Sequence, residues 1–544
     1  MLSILANNTN LTTMFEIAVY RFKLLIICVL LFPVFIFGQF KNIQNDVFWN
    51  TKDGQPIYSQ GGGIFKFTSP TTHKDTYYWY GAEYEEASVY RQNPAVTLKT
   101  CTFKAINCYS STDLVNWTFE NTVFTTQNAF PDGKKTWVGR MGVAFVKEIN
   151  KYALFVQHGS EVLIALANSP TSEFTWHQKI NMEPLIGTTN TGDQTVFTDD
   201  DGKSYLIYSY GKGRNKIYVS EIGIKDGKVN LLDCTKVFQG ESREGNCMFK
   251  YQNKYYMAAS NIYGWDSSFA YYLVADAIRG PYLPANDMQI MKGSEEDYAH
   301  ITQTGFFYTI KGTKKETVLY CGDRWADFAG NGLGYNQWFP LSFKENEAYF
   351  NSLSSWNLNE KTGEWQVEKD NNYIKNGSFE ADRNKIPSNF KPIQAQLLGW
   401  KTEVLQGNKI STSDENSPVL NYFNSEEDRK KVIGEKSLQI SDKVDFARKI
   451  SQKIVDSPFV KLEDSRYTLT AKIKNTNGFS ELKLFAESGS ETFSIAIKDS
   501  NVDWRIVTIP NIKIKKGEVQ IGILAAAKAN SVCLIDDISL VKNR

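Results

Sequence analysis

The sequence predicts an all-β protein, a five-bladed β-propeller, with a large β-sandwich or barrel as the alternative, followed by a β-sandwich. Three observations carry that expectation. Short aromatic strands recur, beginning at Tyr77, Tyr152, Tyr205, Tyr255 and Val318, so the repeat is about 50–75 residues long. Aromatic residues make up 14% of the chain, as 12 Trp, 28 Tyr and 34 Phe, and such residues between glycine turns favour pleated sheet. Near residue 370 the pattern changes to alternating strands such as Tyr467-Thr468-Leu469-Thr470-Ala471-Lys472-Ile473, which suit a sandwich.

The chain opens with a targeting segment. Leu24 to Phe37 is an apolar run behind Arg21 and Lys23, and Gly38 follows it. The run is shorter than the roughly 20 residues of a membrane helix. Residues 1–38 therefore read as a secretory signal peptide, with Met14 as a second possible start and an uncleaved anchor as the alternative. The expected location is periplasmic or secreted, in a bacterium, with no membrane association after cleavage.

Residues 45–368 hold the five repeats. Polar turns such as Asp200-Asp201-Gly202-Lys203 and Gln252-Asn253-Lys254 lead into aromatic strands. A second apolar strand follows, as in Val162-Leu163-Ile164-Ala165-Leu166-Ala167 and Tyr271-Tyr272-Leu273-Val274-Ala275. Flat side chains on these strands fill the wedges between blades. Asp199-Asp200-Asp201 looks like a calcium loop, but Gly202-Lys203 after it makes a hairpin turn the better reading. Lys369-Asp370-Asn371-Asn372 is the polar junction. The second domain, 372–544, opens at Asn376-Gly377-Ser378-Phe379-Glu380 and closes at Ile535-Asp536-Asp537-Ile538-Ser539-Leu540. The charged stretch from Ser425 to Lys436 reads as a solvated loop or short helix.

Composition narrows the function. With 61 Lys+Arg against 60 Asp+Glu the formal charge is +1, which argues against nucleic acid as a partner. Six Cys follow the leader: Cys101, Cys108, Cys234, Cys247, Cys321 and Cys533. Their spacing fits neither a disulfide scaffold nor a zinc site. They read as buried thiols, with a Cys101–Cys108 bridge as the alternative. Only four His are present, so acid–base chemistry falls to carboxylates. No cofactor is expected to be required, a structural calcium is left open, and a monomer is expected.

A propeller gathers the first-strand ends of its blades around one axis, so one polar residue per blade can converge on a pocket. Inverting glycoside hydrolysis needs a proton donor with a raised pKa and an activated water opposite it. Three residues open apolar strands on successive repeats. They are Asp193 before Gln194-Thr195-Val196-Phe197, Glu244 before Gly245-Asn246-Cys247-Met248, and Gln303 before Thr304-Gly305-Phe306.

Several stretches together resemble glycoside hydrolase family 43, and within it the exo-β-1,3-galactanase-like branch. They are Gly61-Gly62-Gly63, Tyr77-Tyr78-Trp79-Tyr80-Gly81, Cys108-Tyr109-Ser110-Ser111-Thr112-Asp113-Leu114-Val115-Asn116-Trp117, Arg243-Glu244, Thr302-Gln303-Thr304, Gly322-Asp323-Arg324-Trp325 and Gln337-Trp338-Phe339-Pro340-Leu341. The resemblance spans about residues 48–368. It implies an inverting, exo-acting hydrolase with Glu244 as general acid and Asp193 as the carboxylate that tunes and orients it. The first-blade Asp that most of the family uses as base is absent from Ser59-Gln60-Gly61-Gly62-Gly63. In the galactanase-like branch a last-blade Gln takes a base-like role, and Gln303 resembles it. The water is then held either by Gln303 in an unusual tautomer or by another acid such as Glu83. Substrate contacts are expected from Gln60, Glu83, Arg140, Trp265, Arg324 and Tyr335. One departure is Gly139, where that branch carries a Glu.

The C-terminal domain resembles jelly-roll carbohydrate-binding modules, and that resemblance makes the expected sandwich a jelly roll. Trp400, Tyr422 and Phe423 either present rings to a glycan or pack internally, and the domain either binds glycan or only braces the propeller. The expected function is removal of a terminal sugar, most readily β-galactose, from a polysaccharide or oligosaccharide. α-L-Arabinofuranose or β-xylose is the alternative sugar, and a non-catalytic glycan-binding propeller the alternative class.

Overall fold

The computed structural model describes residues 39–544 apart from 70, 99, 265–266, 286, 325–334, 382–396, 410–418 and 433. The signal-peptide expectation for residues 1–38 lies outside the described residues.

Five antiparallel sheets follow one another along the chain. Blade one comprises Gln60–Thr68, Asp75–Tyr84, Phe103–Ser111 and Thr118–Thr125. Blade two comprises Val138–Val146, Lys151–His158, Glu161–Ala167 and Thr175–Ile180. Blade three comprises Thr191–Thr198, Ser204–Tyr210, Lys216–Lys225 and Lys228–Leu231, with Thr235–Gln239 also paired to the third strand. Blade four comprises Glu244–Tyr251, Lys254–Ser260, Ala270–Ala275 and Gln289–Ile290. Blade five comprises Gln303–Lys311, Glu316–Arg324, Tyr335–Lys344 and Glu347–Phe350. Each blade's first strand packs against the first strand of the next, and the fifth packs against the first. That closed ring makes the sheets a propeller.

The ring is sealed by a sixth, three-stranded sheet. Lys41–Gln44 pairs with Ser355–Asn359, which pairs with Glu364–Val367. Asn45 then donates to the Trp338 and Leu353 carbonyls, both at 2.8 Å, and accepts from the Trp338 N–H at 2.9 Å. Above this seam lies a tryptophan cluster. Trp79 and Trp338 have ring centroids 4.9 Å apart, Trp79 and Trp117 5.3 Å, and Trp49 and Trp338 5.0 Å. Other blade wedges are filled in the same way, by Phe67 on Tyr152 at 5.0 Å and Phe249 on Phe307 at 4.7 Å. Aromatic rings suit a wedge because a single flat group covers a large apolar area there.

Every first strand carries a register irregularity in its opening residues. The shifts fall between Gln60 and Gly63, Val138 and Met141, Thr191 and Gln194, Glu244 and Cys247, and Thr304 and Phe306. A bulge breaks the alternation of side chains and re-aims one of them. Repeated five times around the axis, it turns ladder positions into side chains that face the centre.

The C-terminal domain is two five-stranded antiparallel sheets. One runs Lys401–Gln406, Phe446–Val455, Glu518–Ala527, Phe479–Ser488, Glu491–Ala496, and the other Val419–Phe423, Lys436–Ser441, Val532–Lys542, Arg466–Asn475, Asn501–Lys513. Alternating residues such as Leu469, Ala471 and Ile473 fill the space between them. Trp400 belongs to this core. It is 3% exposed, stacks near Phe379 and donates to the Asn376 carbonyl at 3.1 Å, so it presents no ring to a glycan. Tyr422 is half-buried and Phe423 exposed. The charged stretch after Ser425 forms the short helix Glu426–Arg429, and Arg429 donates to the Ala95 carbonyl of blade one at 3.0 Å. Phe459 rests on Tyr349 of blade five. The six cysteines are free thiols. The Asp199–Asp201 run is a hairpin turn whose carboxylates pair with Lys250, Tyr255 and Lys311.

Truncating Trp79, which is fully buried in the seam cluster, should cost about 3–5 kcal/mol. Urea unfolding of Trp79→Ala, followed by far-UV circular dichroism, measures it; a loss below about 1 kcal/mol would show that the cluster does not hold the ring closed.

Candidate active site

The bulges deliver their side chains to a cavity of about 420 Å³ at one end of the propeller axis. That volume lies within the roughly 300–1,000 Å³ of small-ligand sites. Its described lining includes the polar residues Arg140, Gln157, Asp193, Arg214, Glu244 and Gln303, together with Trp137, Tyr84 and four glycines.

Arg140, from the blade-two bulge, is 3% exposed and forms the floor. Its Nε donates to Asp193 Oδ2 at 3.1 Å, its Nη1 to Asp323 Oδ2 at 3.0 Å, and its Nη2 to Gln303 Oε1 at 2.8 Å. Asp323 is fixed in turn by the Gly61 N–H and by Asn336, both at 3.1 Å. Burial disfavours the Arg140 charge, but Asp193 and Asp323 outweigh it and raise the guanidinium above its usual pKa.

Asp193, from blade three, also accepts from the Gly245 N–H at 2.7 Å and from Arg214 Nη1 at 3.2 Å. The Gly245 contact needs glycine. Its φ is +63°, and a Cβ there would meet the Thr304 carbonyl at 2.4 Å. Burial works to raise the Asp193 pKa, yet Arg214 and Arg140 hold it below the usual carboxylate range.

Glu244, from blade four, has the opposite fate. Its Oε2 accepts from the same Arg214 Nη1 at 2.6 Å, and its Oε1 from Gln303 Nε2 at 2.7 Å. Burial first, and the Asp193 charge second, push Glu244 up to about 8 against the pull of Arg214, Arg140 and Gln303. Two carboxylates sharing one guanidinium are thus driven apart, one ionised and one protonated near neutrality. Paired groups with divergent pKa values mark an acid and its partner.

The structure brings Asp193, Glu244, Gln303 and Arg140 together. Among the described residues of the predicted set, Glu83, Gln60 and Arg324 are not in the cavity lining. Glu83 is paired with Lys104 at 2.6 Å and Asn107 at 2.7 Å, away from the cavity lining. It is therefore not placed to hold the water. Gln60 is buried at the start of blade one, and its neighbour Gly61 lines the cavity instead. Arg324 is buried with its Nη1 3.8 Å from Asp46, which bonds His300, so it sits in a separate cluster. Tyr335 is placed by its backbone opposite Arg324. Trp265 lies outside the described residues. Gln303 has its nitrogen turned to Glu244 and its oxygen to Arg140, whereas the base-like role implied by the resemblance asks that amide to face a water. Sequence reasoning missed Arg214, Gln157 and Trp137. Arg214 sits in a Gly-Lys-Gly-Arg turn that carries no motif, while Asp323 was visible only as part of a quoted match. Among the described residues, no group of three or more His, Cys, Asp and Glu is placed to hold a metal ion.

Residues 68–337 match the Glycosyl hydrolases family 43. Solved structures show the same fold over most of the chain. An exo-β-1,3-galactanase from Phanerochaete chrysosporium, solved with β-1,3-galactotriose, is 18% identical; the match covers 92% of this chain and 100% of that one at a TM-score of 0.51. An exo-β-1,3-galactanase from Clostridium thermocellum is 17% identical, with 92% and 100% covered and a TM-score of 0.52. No curated protein gives a significant match.

The electrostatics of the pair can be read without substrate. Difference infrared spectroscopy should find a protonated-carboxyl stretch that titrates near pH 8 and is lost in Glu244→Gln. In Asp193→Asn the neighbouring negative charge is gone, so the same band should titrate at lower pH; an unmoved titration would refute the coupling.

Proposed function

From the premise that the chain belongs, through its propeller, to glycosyl hydrolases family 43 and is a glycoside hydrolase, we propose that it is an exported, inverting, exo-acting glycosidase. Its substrate in this reading is a polysaccharide or oligosaccharide that ends in β-galactose. The observation that carries the catalytic part is the Asp193–Arg214–Glu244 arrangement, with Glu244 pushed up to about 8. A carboxyl group protonated near neutral pH can give its proton to the glycosidic oxygen as the bond breaks. The hydrogen bonds described above are those of the ionised form, in which both Glu244 oxygens accept. Protonation turns one oxygen into a donor that keeps a lone pair, so both N–H contacts can remain while the O–H serves the glycosidic oxygen. The Arg214 side of Glu244 is the more open one, since that side chain is 31% exposed while Gln303 is fixed by Arg140.

Asp193 is too close to Glu244 to act on the opposite face of a sugar, since both bond a single Arg214 nitrogen. Its role is to raise Glu244 and to orient it. The exo reading is supported by the buried Arg140 floor, which closes the cavity along the axis. The galactose reading is supported by the activity of the two solved neighbours. The apolar run in residues 1–38 supports export. Proton transfer of this kind needs no cofactor. Gly139 favours a second reading, a pentosidase on the same fold, because a carboxylate at that position would be a natural partner for a sugar hydroxyl.

On β-1,3-galactobiose, Glu244→Gln should lower kcat by about 10²–10⁴-fold. Proton NMR of the wild-type reaction should show galactose released first as the α-anomer. Wild-type turnover in the variant rejects the acid, and release of the β-anomer rejects inversion. In a panel of aryl glycosides, cleavage confined to arabinofuranosides or xylosides would reject galactose in favour of the second reading.

A further inference from the structure

The charged part of the described cavity lining is accounted for by the catalytic pair and its arginines, but Trp137 is not. Its ring lies over Gly139. A Cβ built on Gly139 would fall 1.9 Å from both Cη2 and Cζ3 of Trp137. The ring therefore occupies the space through which any side chain at 139 would enter the site, and glycine at 139 is a consequence of the tryptophan. Both residues line the cavity.

The platform is built rather than incidental. The Trp137 carbonyl accepts from the Gly159 N–H at 2.7 Å, where Gly159 has φ +62° and also lines the cavity. The next residue, Val138, opens the blade-two strand, and its carbonyl accepts from Tyr84 Oη at 3.2 Å. The backbone that leads from the ring into the strand is pinned, so less freedom remains to be lost when a ligand covers it. Trp137 is half-buried and lines the cavity.

We propose that Trp137 is the specificity-determining platform on which the terminal sugar stacks, and that it selects a galacto-configured pyranose. This deepens the glycosidase reading and rests on it. A cavity lined both by charged groups and by an indole fits a ligand that has polar and apolar faces. A galactopyranose has that form: its axial 4-hydroxyl leaves the C–H groups at positions 3, 4 and 5 together on one face. Those C–H groups lie on the indole, while the hydroxyls meet Arg140, Asp193, Arg214 and Gln157. A furanose lacks that continuous C–H face, and a xylopyranose has alternating C–H bonds.

The test uses full-length Glu244→Gln, which should hold ligand without turning it over, with β-1,3-galactobiose as probe. Ring-current upfield shifts of the sugar H3, H4 and H5 signals are expected on binding. Adding Trp137→Ala should abolish the shifts and weaken binding by about 10–100-fold. Trp137→Phe should keep most of both, and Gly139→Ala should lose them because the methyl group displaces the ring. Circular dichroism melting checks that each variant folds. Unchanged affinity in Trp137→Ala, or tighter binding of an arabinofuranoside than of galactobiose, would overturn the proposal. The two readings fail separately. Trp137-dependent binding in a protein that hydrolyses nothing keeps the platform and rejects the glycosidase. Galactoside hydrolysis with an unaltered KM in Trp137→Ala does the reverse.

Discussion

The buried guanidinium of Arg140 is the interaction on which the rest of the site depends. It stands where the first strands of five blades converge, and it bonds residues of blades three and five from its own place on blade two. A charge so deeply buried is costly unless it is fully paired. Its partners Asp193, Asp323 and Gln303 supply that pairing, and each is thereby fixed in position. Removing either carboxylate would leave the cation only half compensated, so the geometry of the site and the closure of the ring are linked. The repeated bulge is the local device behind this. It costs each first strand part of its ladder and returns a side chain aimed at the axis.

Above that floor, a second arginine divides two similar carboxylates into different roles. Arg214 touches both, but Asp193 also has Arg140 and a backbone N–H, while Glu244 has only the Gln303 amide in addition. The better-paired charge wins the ionised state. Its field then raises the other, so the acid is made by its neighbour as much as by its own burial. Gln303 belongs to this machinery through the acid it tethers.

Much of this was legible in the sequence. The aromatic repeat foretold the blades because wedge packing demands flat side chains at a fixed spacing. Asp193, Glu244 and Gln303 stood out because each opens an apolar strand on a successive repeat. What was not legible follows from long-range geometry. Arg214 and Gln157 reach the site from a turn and a second strand, positions with no pattern of their own. Glu83 looked available as an acid, but Lys104 and Asn107 opposite it consume the carboxylate, and such a pairing is set by strand register. Trp400 seemed a candidate for glycan contact, but it packs in the sandwich core beside Phe379. Gly139 was read as a missing carboxylate, whereas the structure shows a ring already filling its space.

The central claim is that Glu244 serves as proton donor to the leaving oxygen. Its most direct measurement is the dependence of the Glu244→Gln defect on the leaving group, using a series of aryl β-galactosides of rising phenol acidity. A leaving group that departs readily needs no proton. The account predicts that the defect is large for the least acidic phenols and shrinks steadily towards wild-type rates for the most acidic. A defect of equal size across the whole series would contradict it and leave Glu244 a role in binding or structure alone.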